Sequence, residues 1–430
     1  MIPNLVGSRW ERPDVDTLPV FNPATGEVIE QVPLSGAAEV EAAVKAAAAA
    51  FETWARTPLM ERVRLMFRFK AELEEHVEEL AAIVTRHHGK TLDEARGEVR
   101  RGIEVVDFAC GAPTLLQGRT LREVSSGVDQ DLYRYPVGVC AGVPPFNFPV
   151  MIPLWMFPLA VVAGNTFVLK PSERTPLGAL RLAELFLQAG FPEGVLNLVH
   201  GAQAAVEALL IHPVVRAVSF VGSAPVARHV YETAAAHGKR VQALGGAKNH
   251  ILVMPDADLE SAVPAILNSA FGNAGERCLA GSVAVAVGAA SKAMLEPLTD
   301  AAAKLVVGPG DQPGVQVGPL IRAEHRQKVL AYVERGEAEG AAVLVDGRRE
   351  LERPGFFFGP TVLDRVSPEM AVGRDEIFGP VLSVSHVSSL DQAIAQANQM
   401  ALGNMAVIFT QSGRAAREFR ERVEAGMCGI

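Results

Sequence analysis

Residues 165–201, NTFVLKPSERTPLGALRLAELFLQAGFPEGVLNLVHG, hold one complete strand–helix–strand unit. Asn165 to Pro171 begins as a short β-branched and aromatic run, Leu177 to Gly190 carries apolar residues at three- and four-residue spacing, and Val195 to Gly201 is again short and apolar. Two such strands joined by an amphipathic crossover pair in parallel, because parallel pairing needs a crossover and buries both faces of the sheet. The alternation continues through helix Ala204 to Ile211, strand Ala217 to Ser223, helix Val226 to Gly238 and strand Arg240 to Gly246. It restarts with strand His250 to Met254, a helix from Leu259, and strand Ser282 to Val287. The pattern predicts an α/β protein with two doubly wound parallel-sheet domains, the second beginning near residue 247.

Upstream, apolar periodicity predicts helices over Ala37 to Ala55, Arg62 to Arg86 and Leu92 to Ala109. Val128 to Val143 reads as extended segments, a ribbon suited to pair with another subunit or a distant strand. The apolar run Val150 to Ala163 is too short to span a bilayer and is interrupted by Pro153 and Pro158, so a buried helix is expected and a membrane partner is not. The N-terminus MIPNLVGSRWERP has no basic segment followed by an apolar core, which speaks against a signal peptide. A chain of 430 residues that is 49% hydrophobic can fill two or three cores. A net charge of −9 without long basic blocks argues against nucleic acid as a partner. The four cysteines follow no metal-ligand or disulfide spacing, so no metal site is expected and a reducing cytoplasm fits best.

Chemistry concentrates in a few loops. FGNAGERCLA, residues 271–280, places Cys278 after a glycine-broken loop with Arg277 directly before it, an arrangement suited to a reactive thiol. A buried cysteine acting as a small apolar filler is the plain alternative. GVPPFNFP, residues 142–149, holds Asn147 in a stiff turn between Phe146 and Phe148, where its amide suits an oxyanion donor or simply forms a turn. Lys170 and Glu173 follow a strand in LKPSE, at the edge where ligands of open α/β sheets collect. Gly222 and Ser223 end a strand just before a helix in FVGSAPVARHV, leaving free N–H groups for an anion, although ordinary turns look the same.

In order and separation, GVPPFNFP, FVLKPSE, SFVGS, ALGGAKN, AGERC and EIFGPVL resemble the NAD(P)-dependent aldehyde dehydrogenase superfamily along the whole chain. MIPLWMFPLAVVAGNTFVLKPSER and HGKRVQALGGAKNH look most like its CoA-acylating branch, the methylmalonate-semialdehyde dehydrogenases. The resemblance implies a dinucleotide-binding domain over residues 1–120 and 140–246, an oligomerisation ribbon over 121–139 and a catalytic domain over 247–430. It makes Cys278 the nucleophile and Asn147 a donor to the oxyanion. Phe146, Lys170, Glu173, Gly222, Ser223, Glu376 and Phe378 become cofactor contacts, although Glu376 alone would read as a solvated loop carboxylate. Glu173 favours NAD over NADP, because a carboxylate near the adenine ribose repels a 2′-phosphate.

Hydrolytic members carry a glutamate where this chain has QALGG, with Ala243 or Leu244 at the matching place. Neither takes a proton, so coenzyme A is the expected acyl acceptor and propionyl- or acetyl-CoA the expected product from methylmalonate or malonate semialdehyde. A hydrolytic aldehyde dehydrogenase, or a truncated member with little activity, is the alternative. The acidic substrate calls for arginine, and Arg277 and Arg101, the latter in RRGIEVVDFAC, are the chosen positions. An exposed helix cation is the plain reading of Arg101. Family members continue beyond the point where MCGI ends this chain, so a C-terminal truncation is expected, with a homo-oligomer, dimer or tetramer, impaired by the missing partner strand.

Overall fold

The computed structural model describes residues 1–430. The chain forms two compact units, one of Met1–Phe21, Val28–His87 and Ala95–Gly245, the other of Asn22–Glu27, His88–Glu94 and Gly246–Ile430.

The first unit is organised by a seven-stranded sheet in the spatial order Arg240–Gly245, Val215–Gly222, Val139–Val143, Thr166–Leu169, Leu196–Leu198, Asn4–Val6 and Arg9–Glu11. The first five strands are parallel, Asn4–Val6 pairs antiparallel to them, and Arg9–Glu11 pairs antiparallel to Asn4–Val6. Helices cover both faces. Val40, Val44, Leu209 and Val230 from one set of helices pack on Val139, Val168 and Val218 of the strands. Elsewhere Phe69, Phe157, Phe186 and Phe191 cluster, with Phe186 and Phe191 stacked at 3.8 Å between centroids. Helix Met151–Val162 is apolar nearly all round and is accordingly buried, and it runs through both prolines.

Three features depart from the sequence pattern. The predicted helix over Arg62 to Arg86 is two helices, Leu59–Glu75 and Val77–His88, separated at His76. The N-terminal stretch supplies four short strands that no periodicity announces, and one of them, Asn4–Val6, joins the sheet by pairing Leu5 with Leu198. The exposed ribbon is a hairpin of Arg119–Ser125 with Val128–Leu132, whereas Val139, expected at its end, begins a fully buried central strand.

The second unit holds another seven-stranded sheet, ordered Ala342–Val345, Thr361–Asp364, Val381–Val387, Gly281–Val287, Asn249–Val253, Met405–Phe409 and Met427–Gly429. Only the edge strand Ala342–Val345 is antiparallel. Segment His88–Glu94 is held here by close backbone contact: a Cβ on Gly310 would clash with the Lys90 carbonyl, and one on Gly318 with the Gly89 carbonyl. The Leu92 N–H donates to the Gly310 carbonyl at 2.9 Å. No helix in the chain is long and apolar enough to cross a membrane.

Candidate active site

In the first unit the chain leaves strand Val139–Val143 toward Thr166–Leu169 and Leu196–Leu198, then returns to the other side for Val215–Gly222. The reversal creates a switch point at the carboxyl ends of Val139–Val143 and Val215–Gly222, the place where open α/β sheets bind ligands. Phe146 and Asn147 lie just past the first of those strands, Gly222 ends the second with Ser223 after it, and Lys170 and Glu173 follow the neighbouring strand Thr166–Leu169.

The Asn147 turn is held from several sides. Phe146 offers its carbonyl to the Thr175 hydroxyl at 2.9 Å, and its ring lies under the Arg174 guanidinium at 5.2 Å. Glu98 is buried and accepts from the Val150 and Met151 N–H groups at 2.8 and 3.2 Å, which satisfies the start of helix Met151–Val162. Asn147 itself is buried. Glu98 and Thr175 escape sequence reading because they lie far along the chain from the turn they fix.

Lys170 is buried, donating to Glu173 Oε2 at 3.3 Å and to the Gly201 carbonyl at 2.8 Å. Burial pulls its ammonium below the ordinary lysine range, and Glu173 partly restores it. Burial alone would raise the Glu173 carboxyl, but the Lys170 charge, backbone N–H donation and Arg174 outweigh it, so Glu173 stays ionised below its usual value. Ser223 caps helix Ala224–Ala236 in extended conformation without a side-chain cap bond, and it is exposed. The helix start thus keeps N–H groups for an anion.

In the second unit Cys278 stands just ahead of strand Gly281–Val287. Its carbonyl accepts from Asn249 Nδ2 at 2.9 Å and Asn404 Nδ2 at 3.0 Å. Sequence reading passed over both asparagines. Burial raises the Cys278 thiol above its ordinary value, with the Glu376 charge adding to the rise, while the N–H groups of Cys278 and Leu279 and the Arg277 charge act against it. Cys110 and Cys140 are core residues, each pushed up to about 11 by burial. Cys278 is only partly buried.

Because the thiolate is the reactive form and the thiol is raised, alkylation of Cys278 by iodoacetamide should keep accelerating through the alkaline range without levelling near neutrality. Mass spectrometry of the Cys278 peptide across pH checks this; a plateau by pH 7 contradicts it.

A pocket beside this loop is lined by Lys248, Asn249, Arg277, Glu376 and Phe378. Lys248 donates to the Val372 and Asp375 carbonyls at 2.8 and 2.9 Å, and burial pushes it down to about 7 despite Asp375 and Glu376 nearby. Burial raises the Glu376 carboxyl, against the pull of Lys328, the Ala247 N–H and Lys248. Phe378 takes a left-handed φ of 61°, and its carbonyl accepts from His325 Nε2 at 2.7 Å.

Arg277 is tied into its own loop while it lines the pocket. Its guanidinium meets a carboxylate of the protein itself, Glu94 Oε1 at 2.9 Å, and donates to the Asn268 carbonyl at 3.3 Å. Those contacts hold its guanidinium against its own loop, with the side chain one-quarter exposed. Arg101 is exposed on helix Leu92–Cys110 and forms no ion pair. Ala243 and Leu244 lie in edge strand Arg240–Gly245 and bring no carboxylate.

The aldehyde dehydrogenase family matches residues 10–430. The chain is 54% identical to malonate-semialdehyde dehydrogenase 2 of Geobacillus kaustophilus, over 99% of this chain and 89% of that protein. It superimposes on the crystal structure of methylmalonate-semialdehyde dehydrogenase from Oceanimonas doudoroffii with a TM-score of 0.98 at 49% identity, covering 100% of this chain and 89% of that one. A protein from Sinorhizobium meliloti, assigned as a methylmalonate-semialdehyde dehydrogenase and crystallised with NAD, gives a TM-score of 0.97 at 43% identity, covering 99% of this chain and 88% of that one. With a parallel switch point in one unit and a buttressed cysteine loop in the other, the chain belongs to the aldehyde dehydrogenase family and is an enzyme of that family.

Proposed function

We propose that the chain oxidises methylmalonate or malonate semialdehyde with NAD and passes the acyl group to coenzyme A. The observation that carries this reading is the absence of any carboxylate from QALGGAKN, set beside the names of the relatives. The first unit is then the dinucleotide-binding domain and the second the catalytic domain.

The residues present fit a dinucleotide. The ion-paired Glu173 offers an acceptor for ribose hydroxyls, Lys170 holds that acid in place, and the start of helix Ala224–Ala236 suits a phosphate. Glu376 and Phe378 would meet the nicotinamide end. NAD, when bound, supplies the acceptor for the hydride that leaves the aldehyde carbon.

The Cys278 sulfur adds to the aldehyde carbon, and the carbonyl oxygen becomes an alkoxide. Asn147 and the Cys278 N–H donate to that oxygen. Loss of hydride converts the adduct to a thioester on Cys278. Water attack needs a general base, a contribution of typically about 10²- to 10⁴-fold, and neither Ala243 nor Leu244 provides one. The β-carboxylate leaves as carbon dioxide, and the thioester enolate left behind takes a proton from solvent at the α-carbon; the coenzyme A thiolate then attacks the thioester carbonyl and expels the Cys278 thiolate. Arg101, exposed and without an ion pair, and Arg277, in the pocket lining, are the arginines proposed to meet the substrate carboxylate.

The test is NADH formation from methylmalonate semialdehyde with and without coenzyme A. Turnover should depend on coenzyme A, and Arg101→Ala should raise KM for the semialdehyde roughly tenfold, the loss of one charge-assisted contact. Equal turnover without coenzyme A, yielding free acid, would favour the hydrolytic reading.

A further inference from the structure

We propose that Glu94 is a positioning residue for the nucleophile, its carboxylate strapping the loop of residues 272–278 into the conformation that presents Cys278. The proposal rests on the reading of Cys278 as nucleophile. Glu94 uses its two oxygens differently. Oε2 accepts from the Thr91 N–H and hydroxyl, both at 3.1 Å, while the Thr91 hydroxyl accepts from the Glu94 N–H at 3.3 Å. This reciprocal pattern closes the start of helix Leu92–Cys110. Oε1 accepts from the Asn273 N–H at 2.6 Å and from Arg277 Nη2 at 2.9 Å.

The loop needs such a strap. Asn273 and Ala274 hold left-handed φ angles of 56° and 51°, and Gly275 follows at 74°. Two successive non-glycine residues in that region persist only where the surroundings over-determine them. Asn273 also donates through Nδ2 to the Glu276 carbonyl at 2.9 Å, so fixing Asn273 fixes the residues leading to Cys278. Arg277 is confined as well: a Cβ on Gly272 would meet its guanidinium carbon at 2.6 Å. The strap thus acts on the entry side of Cys278, while Asn249 and Asn404 pin its carbonyl on the exit side. Glu94 comes from a different part of the chain and reaches no further than the loop backbone and Arg277 in these contacts, which makes it a positioning group and not a reacting one.

The experiment compares Glu94→Gln, Glu94→Asp, Thr91→Val and Cys278→Ala in the full chain, reading kcat, KM and the rate of Cys278 alkylation by iodoacetamide. Displacing a nucleophile by a fraction of an ångström to an ångström costs up to about 10²-fold, so Glu94→Gln should lower kcat roughly 30- to 100-fold, leave KM for NAD within about threefold and change the alkylation rate about fivefold or more. Thr91→Val removes only the helix closure and should keep kcat within about threefold.

A Glu94→Gln enzyme with kcat inside that threefold window overturns the proposal. So does Thr91→Val losing as much as Glu94→Gln, since Glu94 would then act only as a helix cap. If Glu94→Gln does not fold, Glu94→Asp decides: it keeps the charge but is too short to serve both oxygens, so a roughly tenfold loss of kcat with altered alkylation supports the strap and an unchanged kcat removes it. Activity surviving Cys278→Ala would remove the nucleophile reading itself. Activity lost there but kept in Glu94→Gln removes only the strap.

Discussion

Replacing Cys278 with alanine should lower NADH formation by about 10⁴-fold or more, because no other group on the loop can form the covalent adduct. The neighbouring residues are a buried glutamate, an ion-paired arginine and an exposed leucine. Cys110 and Cys140 cannot stand in, since both lie in cores with thiols pushed up to about 11. The side chain removed is small and only partly buried, and the carbonyl bonds from Asn249 and Asn404 involve backbone, so the fold should survive. Thermal melting by circular dichroism together with NADH absorbance separates lost chemistry from lost structure. Retention of activity within about tenfold of the parent would exclude Cys278 as the nucleophile.

Asn147→Ala should lower kcat by roughly 10²- to 10³-fold, about 3 kcal/mol, with little change in KM. An oxyanion donor matters most when the oxygen gains charge, so its loss falls on the chemical step and not on ground-state binding. The turn has independent supports in the Thr175–Phe146 bond and the Glu98 cap, so alanine leaves the backbone where it was. Steady-state kinetics with the semialdehyde decides between roles. A rise in KM with unchanged kcat would make Asn147 a turn former or a binding contact.

The parallel alternation was legible because its strands are buried on both faces and its crossover helices are amphipathic, so composition and period agree along Asn165 to Gly246. The cysteine loop was legible for a related reason: glycines and a charged residue interrupt an apolar helix. Strands of three residues such as Asn4–Val6 leave no alternation to detect, and their register is set by pairing with Leu196–Leu198. The Arg277–Glu94 pair is not legible in the sequence, because the two residues lie 183 residues apart and only the fold brings them together. Asn404 was passed over for the same reason: its bond to the Cys278 carbonyl spans 126 residues.

The tight seat of segment His88–Glu94 against Gly310 and Gly318 also constrains how the chain acquires its fold. That segment leaves the ribosome well before Gly310, roughly two hundred residues later, so its seat forms by a long-range contact that carries a loop-closure entropy cost. The second unit is therefore not a late, self-sufficient block of sequence. Its packing around Gly310 and Gly318 needs an early segment, so the cysteine loop that Glu94 contacts depends on stretches of chain far apart in sequence.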